Sequence, residues 1–209
     1  MARSSLSKDA SSVGDTARQR IVAGARQHFF AHGFRGVTMD DLAAELGMSK
    51  KTFYAHFQSK TELVEAAMLA KFAELETDFG QIETESSGNF TEALHGLLAC
   101  LQRHAQEVQP PFVRDVRLAA PELFKKLETR RAALIQRYFG KLFADGRKAG
   151  MVRKDLPAEL VIEMLLAAIQ AIVNPQKLTE LGLSPQATVP AIISVILTGV
   201  LTTTGRKNR

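Results

Sequence analysis

"TMDDLAAELGMSKKTFYAHFQSK", residues 38–60, decides how this chain is read. Leu42 and Leu46 stand four apart, and so do Phe53 and Phe57. Side chains at that spacing share one face of a helix. Thr38 with Asp41 predicts a capped helix start, and the helix runs to Leu46. Gly47-Met48-Ser49 turns the chain, and another short helix follows to about Phe57. Ala43 is small where two helices would cross closely, and Gly47 permits a sharp turn. Two short helices joined by three residues make the helix-turn-helix pattern.

The second of these helices carries more than a core needs. Successive side chains rotate by about 100°. With Phe53 and Phe57 inward, Lys51, Thr52, Tyr54 and Ala55 point away, while Ser49 and Lys50 stand at the N-terminal end. In helix-turn-helix proteins that end enters the major groove of DNA. Small Ala55 allows close approach, and Lys50, Lys51 and Thr52 offer donors to base edges or phosphates. Tyr54 and His56 reach toward the backbone on either side, with Ser49 beside them. Lys60 lies in the first turn of the next helix, where free N–H groups favour phosphate, and Thr38 is placed to do the same. A solvated hairpin with chance lysines is the competing reading, since charge runs usually line solvated faces. The spacing of the whole segment favours DNA.

Working outward, the pattern stays helical. Residues 1–14, "MARSSLSKDASSVG", are small and polar and read as a flexible arm. Thr16 with Gln19 has capping-box spacing, and a helix follows to about His32, closed by Gly33. Ser59 with Glu62 opens a long helix to about Phe79, and "GQIETESSG" reads as a loop. Asn89 with Glu92 starts a helix to about Val108, which Pro110-Pro111 breaks. Helical pattern resumes at Phe112, with Pro121 as a kink or boundary, then over about Glu122–Gly150, Pro157–Val173 and Ser184–Thr203. No run alternates as a strand does. The expectation is an all-α chain of about nine helices.

The segment "FFAHGFRGVTMDDLAAELGMSKKTFYAHFQSKTELVEA" resembles the N-terminal DNA-binding domain of TetR/AcrR-type transcriptional regulators. The resemblance rests on the "F…GF…T" run up to Thr38, the "LA…LGMS" turn, "TFYAHF" and "SKTEL", within about residues 16–67. It implies a three-helix helix-turn-helix domain over residues 15–62, followed by a helical effector-binding and dimerisation domain over residues 63–209. It puts Lys50, Lys51 and Thr52 toward bases, and Thr38, Tyr54, His56 and Lys60 toward phosphates. Lys51 departs from the pattern, because many family members carry glycine there. The partners implied are a palindromic double-stranded operator, a small-molecule effector and a second copy of the chain. Repression rather than activation is implied by the family alone.

The remaining two thirds read as apolar helices. Phe90, Leu94, Leu97, Leu98, Leu101, Ala105 and Val108 share one face, and His104 falls on the same line. His104 is either a hydrogen-bonded core histidine or a polar anchor in an apolar pocket. The candidate effector lining is Leu101, His104, Phe112, Tyr138, Phe139 and Met164, although an aromatic stripe at helical spacing is more often core. The helices after Pro157 and Pro185 are apolar around most of their circumference, so each needs a second surface to cover it. A second copy is the economical cover, with Leu165, Ile169, Ile172, Ile192, Val195, Ile196 and Val200 as the expected dimer interface.

Composition permits this reading. The 209 residues carry a net charge of +5, which allows nucleic acid as a partner without demanding it. A single cysteine, Cys100, fits a reducing compartment, and neither a signal peptide nor a membrane span is evident, so the cytoplasm is expected. No nucleophile motif, phosphate loop or paired carboxylates point to an enzyme. His28 and His32 stand four apart, but the glutamate of a metalloprotease helix is missing, so neither metal nor cofactor is expected. The alternative within DNA binding is an architectural or division-control protein on the same fold without an effector.

Overall fold

The computed structural model describes residues 5–86 and 88–201, and all its regular elements are helices. In order they are α1 (Ser5–His32), α2 (Met39–Glu45), α3 (Lys50–His56), α4 (Lys60–Glu85), α5 (Phe90–Glu107), α6 (Pro110–Ala119), α7 (Pro121–Lys148), α8 (Ala158–Ile172), α9 (Pro175–Leu181) and α10 (Pro185–Val200). No described helix is long and apolar enough to cross a membrane. The described residues fall into two compact bodies. The first holds the chain up to Leu75 together with Arg103–Glu128, and the second holds Glu76–Gln102 and the residues from Thr129 on.

The first body is built on phenylalanine. Phe29, Phe53 and Phe57 are wholly buried among Ile21, Leu42, Leu63 and Val64. Phe112 of α6 joins them, its ring 5.2 Å from Phe30 in an edge-on arrangement and 6.5 Å from Phe29. This packing draws α6 into the N-terminal body, so the bodies interleave along the chain instead of dividing at residue 62. Gly33 ends α1 at a φ of 82°, and a Cβ there would lie 3.1 Å from Asp115 Oδ2. Buried Asp115 accepts the Arg35 backbone N–H at 3.3 Å and thereby fixes the entry to α2. A second polar tie joins α1, α4 and α5: Arg26 pairs with Glu74 and Glu107, and the buried Lys71 ammonium also pairs with Glu107.

In the second body Phe79 meets Tyr138 and Phe139, at ring distances of 5.1 and 6.3 Å. Phe143, Leu134, Ile135 and Ile162 complete this core, and α10 packs along α8. An antiparallel bridge, Val152 to Leu201, pins the end of α10, with Arg153 N donating to Val200 O at 3.0 Å.

Two boundaries and one element differ from expectation. α1 begins at Ser5 instead of Thr16, so most of the expected arm stands in the helix. No proline interrupts residues 5–15, and Gly14 alone weakens the run. α4 continues to Glu85 through the expected loop. There Gln81 bonds Glu85 one turn on at 2.7 Å, and Thr84 Oγ1 donates to Gly80 O at 2.9 Å. α9 was not expected at all. Asn174 caps it by accepting from Lys177 N at 2.9 Å, Pro175 opens it, and Gly182 closes it at a φ of 65°.

Candidate nucleic-acid interface

α2 and α3 stand together at the surface of the first body. Thr38 caps α2: its Oγ1 accepts from Asp41 N at 3.1 Å and donates to Asp41 Oδ2 at 2.6 Å. Gly47 turns the chain at a φ of 65°, with nothing near its Cα that would obstruct a side chain, so the backbone angle alone calls for glycine. Ser49 caps α3 by accepting from Thr52 N at 3.1 Å, and the two hydroxyls lie 2.8 Å apart. Both caps supply acceptors for N–H groups that a helix start leaves open.

The burial of α3 is one-sided. Phe53 is wholly buried, as is Phe57 just past the helix end, whereas Lys50, Lys51, Thr52 and Ala55 are exposed and Tyr54 is 41% exposed. His56 is half-buried at the last turn. Lys60, in the first turn of α4, sits over the Phe34 ring at 4.5 Å. Partial burial holds the Lys60 ammonium below its usual pKa, and the charge of Asp115 opposes that shift. Thus Lys50, Lys51, Thr52 and Tyr54 are all accessible on α3, with Thr38 and Ser49 at the two helix starts.

An acidic partner that the sequence reading did not single out stands among them. Asp40 Oδ2 lies 2.7 Å from Lys50 Nζ, and the Tyr54 hydroxyl donates to Asp40 Oδ1 at 3.3 Å. The Lys50 hydrogen bond holds the Asp40 carboxyl below its usual pKa, and the same bond raises Lys50. Desolvation, followed by the Asp40 charge, raises Tyr54. The signal in the sequence was the acidic pair Asp40-Asp41. Only Asp41 is used in the cap, which leaves Asp40 free to reach α3. Arg18 is a further cation at this end of the body, stacked 4.7 Å from the centre of the Phe57 ring. His28, weighed with His32 as a metal ligand, places Nε2 2.8 Å from Glu45 Oε1.

The expected effector and dimer residues are distributed differently. Tyr138 and Phe139 come together against Phe79, and the Tyr138 hydroxyl donates to Glu76 O at 3.2 Å. Phe112 lies in the aromatic core of the first body. On α5, Leu101 is half-buried and His104 buried, while Met164 is 51% exposed on α8. None of these six lines the cavity of about 230 Å³ that opens in the second body between α5 and α10. That cavity is walled by Phe90, Leu94, Leu98, Ile193 and Leu197, with His95 among its polar groups. Of the expected interface residues, Leu165 and Val200 are only 5% and 4% exposed. They are a correction: both fill the second body's own core, because α8 and α10 turn those sides toward the bundle. Ile169, Ile172, Ile192 and Ile196 are half-buried, and Val195 is 74% exposed.

Comparisons with known proteins agree with this geometry. Residues 21–67 match the family model described as bacterial regulatory proteins, tetR family. The chain is 24% identical over 185 residues to YvaF, an HTH-type transcriptional regulator of Bacillus subtilis (strain 168), covering 87% of this chain and 94% of that one. It is 22% identical to the HTH-type transcriptional repressor DhaR of Mycobacterium sp. (strain GP1), over 77% of this chain and 82% of the relative. The solved SmeT–triclosan complex shares the fold at a TM-score of 0.65 and 14% identity, covering 90% of this chain and 93% of that one. The one-sided α3, its two caps and the family match over α2 and α3 converge: residues 21–67 form a helix-turn-helix domain similar to the DNA-binding domain of the tetR family of bacterial regulatory proteins.

Proposed function

We propose that this chain is a homodimeric repressor that binds a palindromic operator through α3 of each protomer and is released by a small, mainly apolar effector. A TetR-type regulator is a DNA-binding protein and not an enzyme. The observation that carries the proposal is the division of α3, with Phe53 wholly buried and Lys50, Lys51, Thr52 and Tyr54 left to solvent. Lys50, Lys51 and Thr52 are assigned to base edges; Thr38, Ser49, Tyr54, His56 and Lys60 are assigned to phosphates.

Two features of the second body support the rest. Leu160 and Met164 on α8 and Val195 on α10 are large apolar residues at 46%, 51% and 74% exposure. A second copy covers them economically, because a two-fold axis lets one surface serve both partners. The cavity between α5 and α10 exceeds the ~150 Å³ that suffices for a benzene-sized guest. Its apolar wall fits an effector with a small ring or a short aliphatic body, and His95 supplies a polar group at its edge.

Selection of genomic fragments by the purified protein, followed by binding titrations across salt, tests the proposal. The expected result is a few sites beside a promoter, with log affinity falling against log salt by about 0.9 for each phosphate neutralised. Many dispersed sites would favour the architectural alternative, and a flat salt slope would remove the phosphate assignments.

A further inference from the structure

Asp40 is an unusual residue to find on a surface built to meet a polyanion. It stands in the first turn of α2, yet its carboxylate is directed to α3, with one oxygen on Lys50 Nζ at 2.7 Å and the other accepting the Tyr54 hydroxyl at 3.3 Å. The adjacent Asp41 already serves the helix start, through both its backbone N–H and its carboxylate on Thr38. Asp40 is therefore not needed as the cap partner. Lys50 and Asp40 are both substantially exposed, with side chains 69% and 45% accessible, so a duplex reaches the pair without disturbing the core.

We propose that Asp40 is a specificity-determining residue of the DNA-reading surface: it acts as an internal counter-ion that occupies Lys50 and Tyr54 until a duplex offers contacts good enough to displace it. The proposal rests on the assignment of Lys50 and Tyr54 to DNA. Any duplex offers phosphates, and sequence-independent binding is the sum of cations set against them. A lysine already neutralised by a carboxylate adds little to that sum, and the carboxylate itself repels nearby phosphates. A matching operator differs because a base edge gives the released Lys50 a directional acceptor. An exposed ion pair is weak enough to be exchanged for such a contact. Asp40 thus penalises non-specific duplexes more than the matching one, and the discrimination comes from repulsion as much as from attraction.

The test uses the full-length protein with Asp40→Asn, Lys50→Met and the double variant. The two probes are a duplex that the wild type retains from a randomised pool and a scrambled duplex of the same composition. Asp40→Asn should bind the scrambled duplex several-fold more tightly and change the retained duplex less, so the ratio of the two affinities falls. Its log–log salt slope on the scrambled duplex should steepen by up to about 0.9 per protomer, the value of one further cation engaged. In the Lys50→Met background the same substitution should lose the part of its effect that comes from freeing Lys50, the steeper salt slope, and keep only the part that comes from removing the carboxylate's repulsion. Three outcomes would overturn the proposal. Selective loss of the retained duplex would make Asp40 a direct acceptor from a base. Equal weakening on both duplexes with a lower melting temperature would make it a helix-start residue only. An unchanged ratio and slope would leave it without a part in recognition. Failure of the underlying assignment reads differently, as a Lys50→Met protein that binds both duplexes as the wild type does, and it removes both proposals.

Discussion

The α2–α3 surface and the α8–α10 surface pose the same structural problem and answer it with opposite chemistry. In both, helices bury one side completely: Phe53 and Leu42 in the first body, Ile162 and Leu197 in the second. What remains outside differs. α3 leaves lysines, a threonine and a tyrosine hydroxyl, whereas α8 and α10 leave Leu160, Met164 and Val195. The polar side is stable in water and needs a partner only to work. The apolar side is costly in water, at about 25 cal/mol per Å² of exposed apolar area, and a cover lowers its free energy whether or not DNA is present. The comparison teaches that a surface for a transient polyanion and a surface for a standing partner are separable by what each does when left alone.

Variants can break that contrast. The largest effect is expected for Val195→Glu. If a second copy covers α10, each protomer buries an unpaired carboxylate, at a cost of about 3–5 kcal/mol each. Sedimentation should show dissociation to monomers, while Leu69→Glu, at an exposed apolar position on α4, should leave assembly intact. A fully dimeric Val195→Glu protein would place the interface elsewhere. Phe53→Ala tests the other surface from beneath. It removes a wholly buried ring and should cost about 3–5 kcal/mol of stability, read as a lower denaturant midpoint. DNA binding should be lost along with it, with the exposed side chains untouched.

A smaller effect separates interior charge from surface charge. Burial alone would raise the Glu107 carboxyl, but hydrogen bonds from Lys71 and Arg26 outweigh it and hold the pKa below the usual value. The folded chain therefore binds this proton less tightly than the unfolded chain. The resulting stabilisation is present above the ordinary glutamate range and is lost as pH falls through the depressed value. Glu107→Gln should cost about 1–3 kcal/mol near neutrality by leaving the buried Lys71 ammonium without its carboxylate. The difference between variant and wild type should shrink in acid, as melting curves across pH would show. The smallest effect is expected for Tyr54→Phe, at about 0.5–1.5 kcal/mol of DNA affinity. The retained duplex should weaken more than a scrambled one in titration, since Asp40 holds the hydroxyl until a matching duplex releases it to a phosphate. A change in sequence preference at constant affinity would make Tyr54 a base reader.

What could be read from residues alone follows the range of the interactions concerned. Two helix starts were legible because a cap involves residues three apart: Thr38 with Asp41, and Ser59 with Glu62, where Glu62 N donates to Ser59 Oγ at 3.1 Å. The one-sidedness of α3 was legible because helical period orders side chains within a single element. The same local rules are present for α9, in Asn174, Pro175 and Gly182, but a helix of 7 residues carries no long apolar stripe to announce it. Tertiary packing alone decided the remainder. It chose which sides of two nearly all-apolar helices fill the core, so that Leu165 and Val200 went inward and Met164 outward. It took Phe112 into the N-terminal body and opened a cavity against the Phe90–Leu94–Leu98 edge of α5, away from Leu101 and His104. It also brought Asp40 onto Lys50 and Tyr54 across the turn. A periodic pattern says that a helix has an apolar side, but when most of the circumference is apolar, only the neighbouring helices determine which part of it is buried.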